Sequence, residues 1–176
     1  MNGSLFLTPQ NPASKFHDLQ ALKLQLVKDG LILDRDNNPY TCGDEFAKLI
    51  IFMGCSPHLL FEPPEDGSDN YCHIILHQYT SAKLFTGSQT SPPRCPACRY
   101  RIADWKQTLN TTHWHCPECG HDTDIFHLDW KQNAGAGSLL IEIKNIFPGE
   151  AVPVDSLLNA LKGLSGEKWR YFYTTN

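Results

Sequence analysis

The sequence has no long run of apolar residues. A helix that crosses a membrane needs about 18 to 20 such residues in succession, and no stretch of the 176 residues approaches that length. The opening stretch, MNGSLFLTPQNP, is largely polar and includes Pro9 and Pro12, so it predicts neither a secretory signal nor an anchor. We therefore expect a soluble, cytoplasmic protein that does not bind membranes.

Positive charge is also scarce. The chain has 15 lysines and arginines against 19 acidic residues, which gives a formal net charge of −4. Between positions 92 and 130 four basic side chains face five acidic ones, a balance of −1. Neither balance favours a surface that binds the phosphates of a nucleic acid. A nucleic-acid adaptor stays an alternative, and it would use Arg94, Arg99 and Arg101 with Trp105 or Trp114.

The common catalytic motifs are missing too: there is no GxSxG, phosphate-binding loop, HExxH or GxGxxG. Among the eight histidines, His73 and His77 lie four positions apart in an apparent strand. At about 3.3 Å per residue they are about 13 Å apart, too far to hold one metal ion. His113 and His115 share one face of another apparent strand. With His121 and His127, we interpret them as surface groups or as hydrogen-bond donors to sulfur, and we assign no catalytic residue.

Four of the seven cysteines do form a pattern. Cys95 and Cys98 make one CxxC pair, Cys116 and Cys119 make a second, and 17 residues separate the pairs. Two such turns complete a tetrahedron of thiolates around one zinc ion. Four thiolates leave the ion no open position, so we predict one structural Zn²⁺ per chain.

Other uses of the four cysteines are less consistent with the sequence. Two disulfides would need an oxidising compartment, and a thioredoxin-like redox centre uses a single CxxC. A [2Fe–2S] cluster, which also takes four thiolates, stays open. The remaining cysteines, Cys42, Cys55 and Cys72, lie near apolar residues, and we expect them to be buried, unreactive thiols.

The segment from Pro92 to Trp130 resembles the zinc ribbon family, through CPAC at 95–98 and HCPECG at 115–120. The resemblance implies a three-stranded antiparallel sheet with strands at 100–105, 112–116 and 124–130. It implies nothing specific about function, because zinc ribbons occur in nucleic-acid machinery and in enzymes alike.

Two stretches on either side of this segment have similar patterns. In the first, Leu22, Leu24 and Leu26 alternate with polar residues as in a strand, a helix is expected over 44–53 after an N-cap at Thr41, and a strand over 71–79. An alternative is a hairpin that turns at Asp29-Gly30.

The second stretch begins with an alternating strand over 139–144. A helix follows, with an N-cap at Asp155 and a leucine stripe, and then an aromatic strand over 168–174. In that last strand we expect Trp169, Tyr171 and Tyr173 on one face, and Arg170 with Phe172 on the other.

Together these patterns predict an α+β fold, a ferredoxin-like split βαβ sandwich with an inserted three-stranded zinc ribbon. The expected boundaries are an N-terminal arm with the first βαβ unit over 1–91, the ribbon over 92–131 and the second βαβ unit over 132–176.

The function that we expect is a non-catalytic, zinc-binding interaction or adaptor protein. Its partner would be another protein or a second copy, bound through an exposed edge at 168–174. The alternative is an enzyme or enzyme subunit whose site lies between ribbon and body and uses His113, His115 or His73.

Overall fold

The computed structural model describes residues 3–34, 38–54, 59–109 and 112–176. Its strands are β1 (Gly3–Pro9), β2 (Tyr40–Thr41), β3 (Ile50–Phe52), β4 (His73–Thr86), β5 (His113–His115), β6 (Asp122–Asp124), β7 (Ala134–Ile146), β8 (Ala151–Pro153) and β9 (Trp169–Thr175). Its helices are α1 (Leu19–Lys28), α2 (Phe46–Leu49), α3 (Trp105–Thr108) and α4 (Asp155–Ser165), and a 3₁₀ turn spans Ile125–His127.

The fold is mixed α/β and is dominated by one five-stranded antiparallel sheet, in the order β2-β4-β7-β1-β9. Two small antiparallel pairs, β3 with β8 and β5 with β6, complete the strand pairing of the described residues. None of the helices in those ranges is long and apolar enough to cross a membrane.

Helices α1 and α4 cover one face of the large sheet and enclose the main core. Leu22 and Leu26 of α1 are fully buried, as are Leu157 and Leu161 of α4 apart from traces of exposure. In each helix the two leucines are four positions apart, which places them on one helical face. The predicted α4 is confirmed, but it begins at Asp155 itself and its N-cap is Val154.

The prediction of a strand around Leu22, Leu24 and Leu26 is wrong, because these residues form α1. The Asp18 side chain accepts a hydrogen bond from Ala21 N–H and caps the helix. Leu24 points outward with 56% exposure, as helical geometry requires. The alternative hairpin at Asp29-Gly30 is also wrong, since Asp29 is the C-cap of α1.

The first strand of the sheet comes instead from the N-terminus, where no strand was predicted. All seven residues of β1 are buried, because β1 lies between β7 and β9 and both sheet faces are covered. The predicted helix over 44–53 reduces to the short α2. From Ile50 onward the chain pairs with β8, and the expected N-cap, Thr41, belongs to β2.

The strands predicted over 71–79, 139–144 and 168–174 are confirmed as β4, β7 and β9. Residues Trp169, Tyr171 and Tyr173 face the main core, while Phe172 faces away from it, as expected. Phe172 nevertheless is only 2% exposed, because it stacks on Phe6 with ring centroids 5.0 Å apart.

The sheet face opposite α1 and α4, where Phe6 and Phe172 lie, is covered by an extension of the sheet's own strands. The pairing of β4 with β7 is interrupted between Gln78 and Lys83, and beyond that point the two strands continue as a hairpin arm, residues 83–86 and 134–137. Phe85 of the arm packs on Phe6, with ring centroids 5.1 Å apart. Gly135 lies so close to Phe172 that a Cβ there would be 2.3 Å from the phenyl ring. The arm carries the cysteine-containing segment at its tip.

The outer edge of β9 is partly covered by the chain that enters and leaves the arm. The N–H of Tyr173 donates to the carbonyl of Gln132, and the carbonyl of Thr175 accepts from the N–H of Ser88. The edge position expected for β9 is therefore present, but two of its outward hydrogen-bonding groups, the Tyr173 N–H and the Thr175 carbonyl, already have partners.

Candidate metal centre

The four predicted ligands come together at one point. All four sulfur atoms lie within 4.8 Å of one another. The Sγ atoms of Cys95 and Cys119 are 3.8 Å apart, and those of Cys98 and Cys116 are 3.6 Å apart. A tetrahedron with metal–sulfur bonds of about 2.3 Å has edges of about 3.8 Å, so the cluster matches the size of a single-metal site. A disulfide would need about 2.05 Å.

Both CxxC turns have the same backbone construction. In the first, Arg99 N–H donates to the carbonyl of Cys95 at 3.0 Å, and in the second Gly120 N–H donates to that of Cys116 at 2.9 Å. Each donor residue has a positive φ, 69° for Arg99 and 73° for Gly120. The residue at this position differs between the two turns. Glycine at 120 adopts a positive φ without strain, whereas arginine at 99 does not. Arg99 is tied down by an ion pair with Asp129 at 3.0 Å.

The thiols do not ionise independently. Burial opposes ionisation of Cys95, but hydrogen bonds from the backbone of Cys98 and Ala97 outweigh it and lower its pKa to about 7. A backbone hydrogen bond from Tyr100 favours the thiolate of Cys98, yet partial burial and the neighbouring sulfurs raise its pKa to about 12. Four thiolates this close together repel one another, so a bound cation would be needed for all four to ionise, and its binding would release protons.

A hydrophobic cluster supports the metal centre from below. It contains the buried cysteines Cys95 and Cys116, and it contains Trp105, Trp114 and Trp130, which are 9%, 6% and 4% exposed. Trp105 and Trp130 meet edge to face with centroids 5.2 Å apart, and the Trp130 indole N–H donates to the Ile125 carbonyl. The cluster continues into the arm through Leu84 and Ala134.

The strand pattern around the site differs in detail from the three strands that were expected. The predicted second strand is confirmed as β5, and it pairs with β6. The predicted first strand over 100–105 is wrong, because Trp105 begins helix α3 and only Arg101 makes a strand-like bridge, to Arg94. The predicted third strand is replaced by β6, the 3₁₀ turn and a single bridge from Asp129 to Arg94.

The histidines of the alternative enzyme site do not converge. His113 and His115 lie on the exposed face of the β5–β6 hairpin, where both contact Asp122, at 3.4 and 2.8 Å. His73 is 4% exposed and its ring contacts the carbonyl of Tyr71. His77 binds Glu142 at 2.7 Å on the arm-covered sheet face.

A cleft lies between body and cysteine-containing segment, where the alternative interpretation as an enzyme expected a site, but His73, His113 and His115 do not line it. The body contributes Ser14, His17 and Ser138, and the segment contributes Asp124, Phe126 and His127. His127 is fixed by Asp124, which accepts from the backbone and the ring of that residue. These positions are up to 124 residues apart along the chain, counted from Ser14 to Ser138, and no local motif connects them.

The other cysteines form no metal site in the described residues. Cys42 is half-buried and its S–H donates to the Cys72 carbonyl at 3.3 Å. A hydrogen bond with Cys42 and burial both raise the pKa of the Cys72 thiol, which makes it unreactive as predicted. Cys55 lies outside the described residues.

The site has therefore to be interpreted from its own geometry. Comparison with known protein families, with curated proteins and with solved structures found no match to the chain.

Proposed function

We propose that this chain is a non-catalytic, zinc-dependent interaction protein in which one Zn²⁺ has a structural role. The observation that carries the proposal is the closed set of four sulfurs within 4.8 Å of one another. A catalytic zinc keeps a position for water or substrate, and four cysteines leave none. A [2Fe–2S] cluster spreads its thiolates over two iron atoms, whereas this cluster has the dimensions of one tetrahedron.

The proposed architecture is a ferredoxin-like body with an inserted zinc ribbon. The order β1-α1-β4 followed by β7-α4-β9, with the sheet order β4-β7-β1-β9, supports a split βαβ sandwich. The two matching CxxC turns support the ribbon assignment. The insert replaces the connection between β4 and β7, and we define it as residues 92–131.

The proposed partner is a protein, or a second copy of this chain. Ile51 of β3 and Met53, which directly follows that strand, are 50% and 71% exposed, which is unusual for large apolar side chains. The edge of β9 is a weaker candidate, because the Tyr173 N–H and the Thr175 carbonyl already have partners there. Nucleic acid is not proposed, since Trp105 and Trp114 are buried and have no face free for stacking on bases.

Metal analysis of the purified chain tests the metal assignment. We expect close to one zinc per chain, and no zinc in a variant that lacks all four cysteines. Absence of zinc from the natural chain, or the visible absorption of an iron–sulfur cluster, would refute it.

Sedimentation or light scattering, together with partner capture, tests the interaction surface. The double substitution Ile51→Asp and Met53→Asp should weaken association and leave the zinc content unchanged. Leu24→Asp is the matched control, because Leu24 is equally exposed, at 56%, but lies on α1. Association that is reduced as much by the control as by the double variant would contradict this choice of surface.

A further inference from the structure

Three buried polar atoms lack a hydrogen-bond partner in the part of the chain that the structure describes. They are Ser138 Oγ, Glu167 Oε2 and Arg170 Nε. More than nine in ten buried polar groups in native proteins are paired, so each of these atoms calls for a partner that is not a protein side chain. All three lie where the body meets the ribbon, rather than scattered through the core.

The first part of this junction is the cleft described above, with a volume of about 470 Å³. Ser138 lies on its wall and is only 3% exposed, while its backbone N–H donates to the carbonyl of Pro12. Phe126, Pro12 and Ala13 supply apolar surface to the same cavity. The cleft is in the size range of sites that hold small metabolites.

A second cavity adjoins the first, and His127 lines both. It contains Glu167, Lys168 and Arg170. The Ser14 hydroxyl connects the two cavities, because Ser14 lines the first and donates to Glu167 Oε1 at 2.9 Å. The Arg170 guanidinium is held in place by a hydrogen bond from Nη2 to the Ala136 carbonyl at 3.1 Å. Glu167 Oε2 and Arg170 Nε thus lack a partner among the described residues, and both side chains line this cavity.

We propose that the two cavities together bind a free α-amino acid with an apolar or aromatic side chain. Its carboxylate pairs with the Arg170 guanidinium, and its ammonium group pairs with the Glu167 carboxylate, because both side chains line the second cavity. Its side chain enters the first cavity beside Phe126, where the Ser138 hydroxyl is the third polar contact.

The charges at the junction select for a zwitterion over simpler ligands. An anion without a cationic group would face the Glu167 carboxylate, and a cation without an anionic group would face Arg170 and Lys168. A purely apolar molecule would leave both charged groups desolvated and unpaired, which is costly. An α-amino acid pairs each group with its complement in a charge-assisted hydrogen bond.

Titration calorimetry and thermal shift on the zinc-loaded chain test the proposal directly. The probes are the 20 common L-amino acids. For the amino acid that binds best, its decarboxylated amine and its deaminated acid serve as matched controls. We expect a dissociation constant below about 1 mM for at least one apolar or aromatic amino acid, and at least about tenfold weaker binding of both controls. No binding by any of the 20 at 10 mM, or equal binding of amine or acid, would overturn the proposal.

Variants separate binding from folding. Ser138→Ala removes an unpaired hydroxyl, so it should leave the melting temperature of the ligand-free chain unchanged or higher, yet weaken binding about fivefold or more. Glu167→Gln keeps the side-chain size and should weaken binding at least about tenfold. Ser156→Ala, an exposed position on α4, is the control and should change neither. Unchanged affinity in Ser138→Ala and Glu167→Gln would show that the junction is not the site.

Discussion

Replacement of Cys116 by serine removes one of the four thiolates and tests how far the metal centre stabilises the fold. Cys116 is fully buried and its Sγ lies 3.6 Å from that of Cys98, so the hydroxyl is a weak ligand in a closed site. Metal binding contributes on the order of 10 kcal/mol to the folding of such modules. At 1.36 kcal/mol per decade, this is about seven orders of magnitude in the folding equilibrium constant of the ribbon.

Hydrogen exchange at single amides reports this loss. The N–H groups of Arg99 and Gly120 are bonded within the two CxxC turns, so their protection should fall to the level of an unfolded chain in Cys116→Ser. Protection should also fall at Leu84 and Ala134, because these arm residues belong to the hydrophobic cluster of the ribbon. Residues 139–146 of β7, paired with both β1 and β4, should stay protected.

Cys42→Ser is the control, because Cys42 is a half-buried thiol that is not a metal ligand. It should retain one zinc per chain and full protection in the ribbon. Protection that persists at Arg99 and Gly120 in Cys116→Ser would refute a folding role for the metal. Loss of protection throughout 139–146 would instead show that body and ribbon unfold as one unit.

Three further substitutions test individual features. Gly120→Ala should destabilise the metal-bound segment by about 1–2 kcal/mol, measured by chelator competition, because an alanine at φ 73° is strained. The new methyl group meets nothing closer than 4.0 Å, so a steric clash adds nothing to this cost. Gly135→Ala should lower the urea midpoint, since its Cβ would clash with Phe172; an unchanged midpoint would contradict the close packing of the arm. Hydrogen bonds from His77 and Ser4 outweigh burial and hold the pKa of Glu142 below its ordinary value of 4.5. The free energy that these hydrogen bonds contribute to folding is present above about pH 4.5 and is lost as the pH falls through the lowered pKa of Glu142 in the folded chain. The difference in unfolding free energy between wild type and Glu142→Gln should therefore narrow in acid, and a constant difference from about pH 7 to 3 would refute this.

The clustering of the four cysteines was predictable because the information is local. Each CxxC pair fixes its own turn over five residues. The chain between the pairs needs only to be long enough to bring the second turn back beside the first. The strand pattern around the four cysteines was less predictable. Trp105 has to reach Trp130 in the cluster, and helix α3 places it there, although the sequence over 100–105 alternates as in a strand.

The error in α1 has a physical reason. Leucines at 22, 24 and 26 satisfy a period of two, but 22 and 26 are also one helical turn apart, and only tertiary packing decides between the two. The Asp18 cap was the local feature that favoured the helix. Strand β1 was missed for the opposite reason, because burial on both faces removes the alternation of polar and apolar residues that identifies a strand.

The junction between ribbon and body could not be predicted from local patterns. Ser138, Glu167 and Arg170 are ordinary polar residues in sequence, and what distinguishes them is the lack of a partner once the chain has folded. Such a property depends on the packing of the arm against β9 and on the position of the ribbon at its tip.

The arm also determines how readily the insert can be exchanged. Thr86 and Ala134 are paired neighbours, so the ribbon enters and leaves the body at adjacent positions of one hairpin. A two-residue turn such as Asn-Gly can join strands at that separation, which makes the ribbon a module that a protein engineer can excise or replace by another small domain. Such a turn would also remove Ser88 and Gln132, whose backbone groups bond Thr175 and Tyr173 at the edge of β9. Without them the excised body would present a bare strand edge and would aggregate more readily.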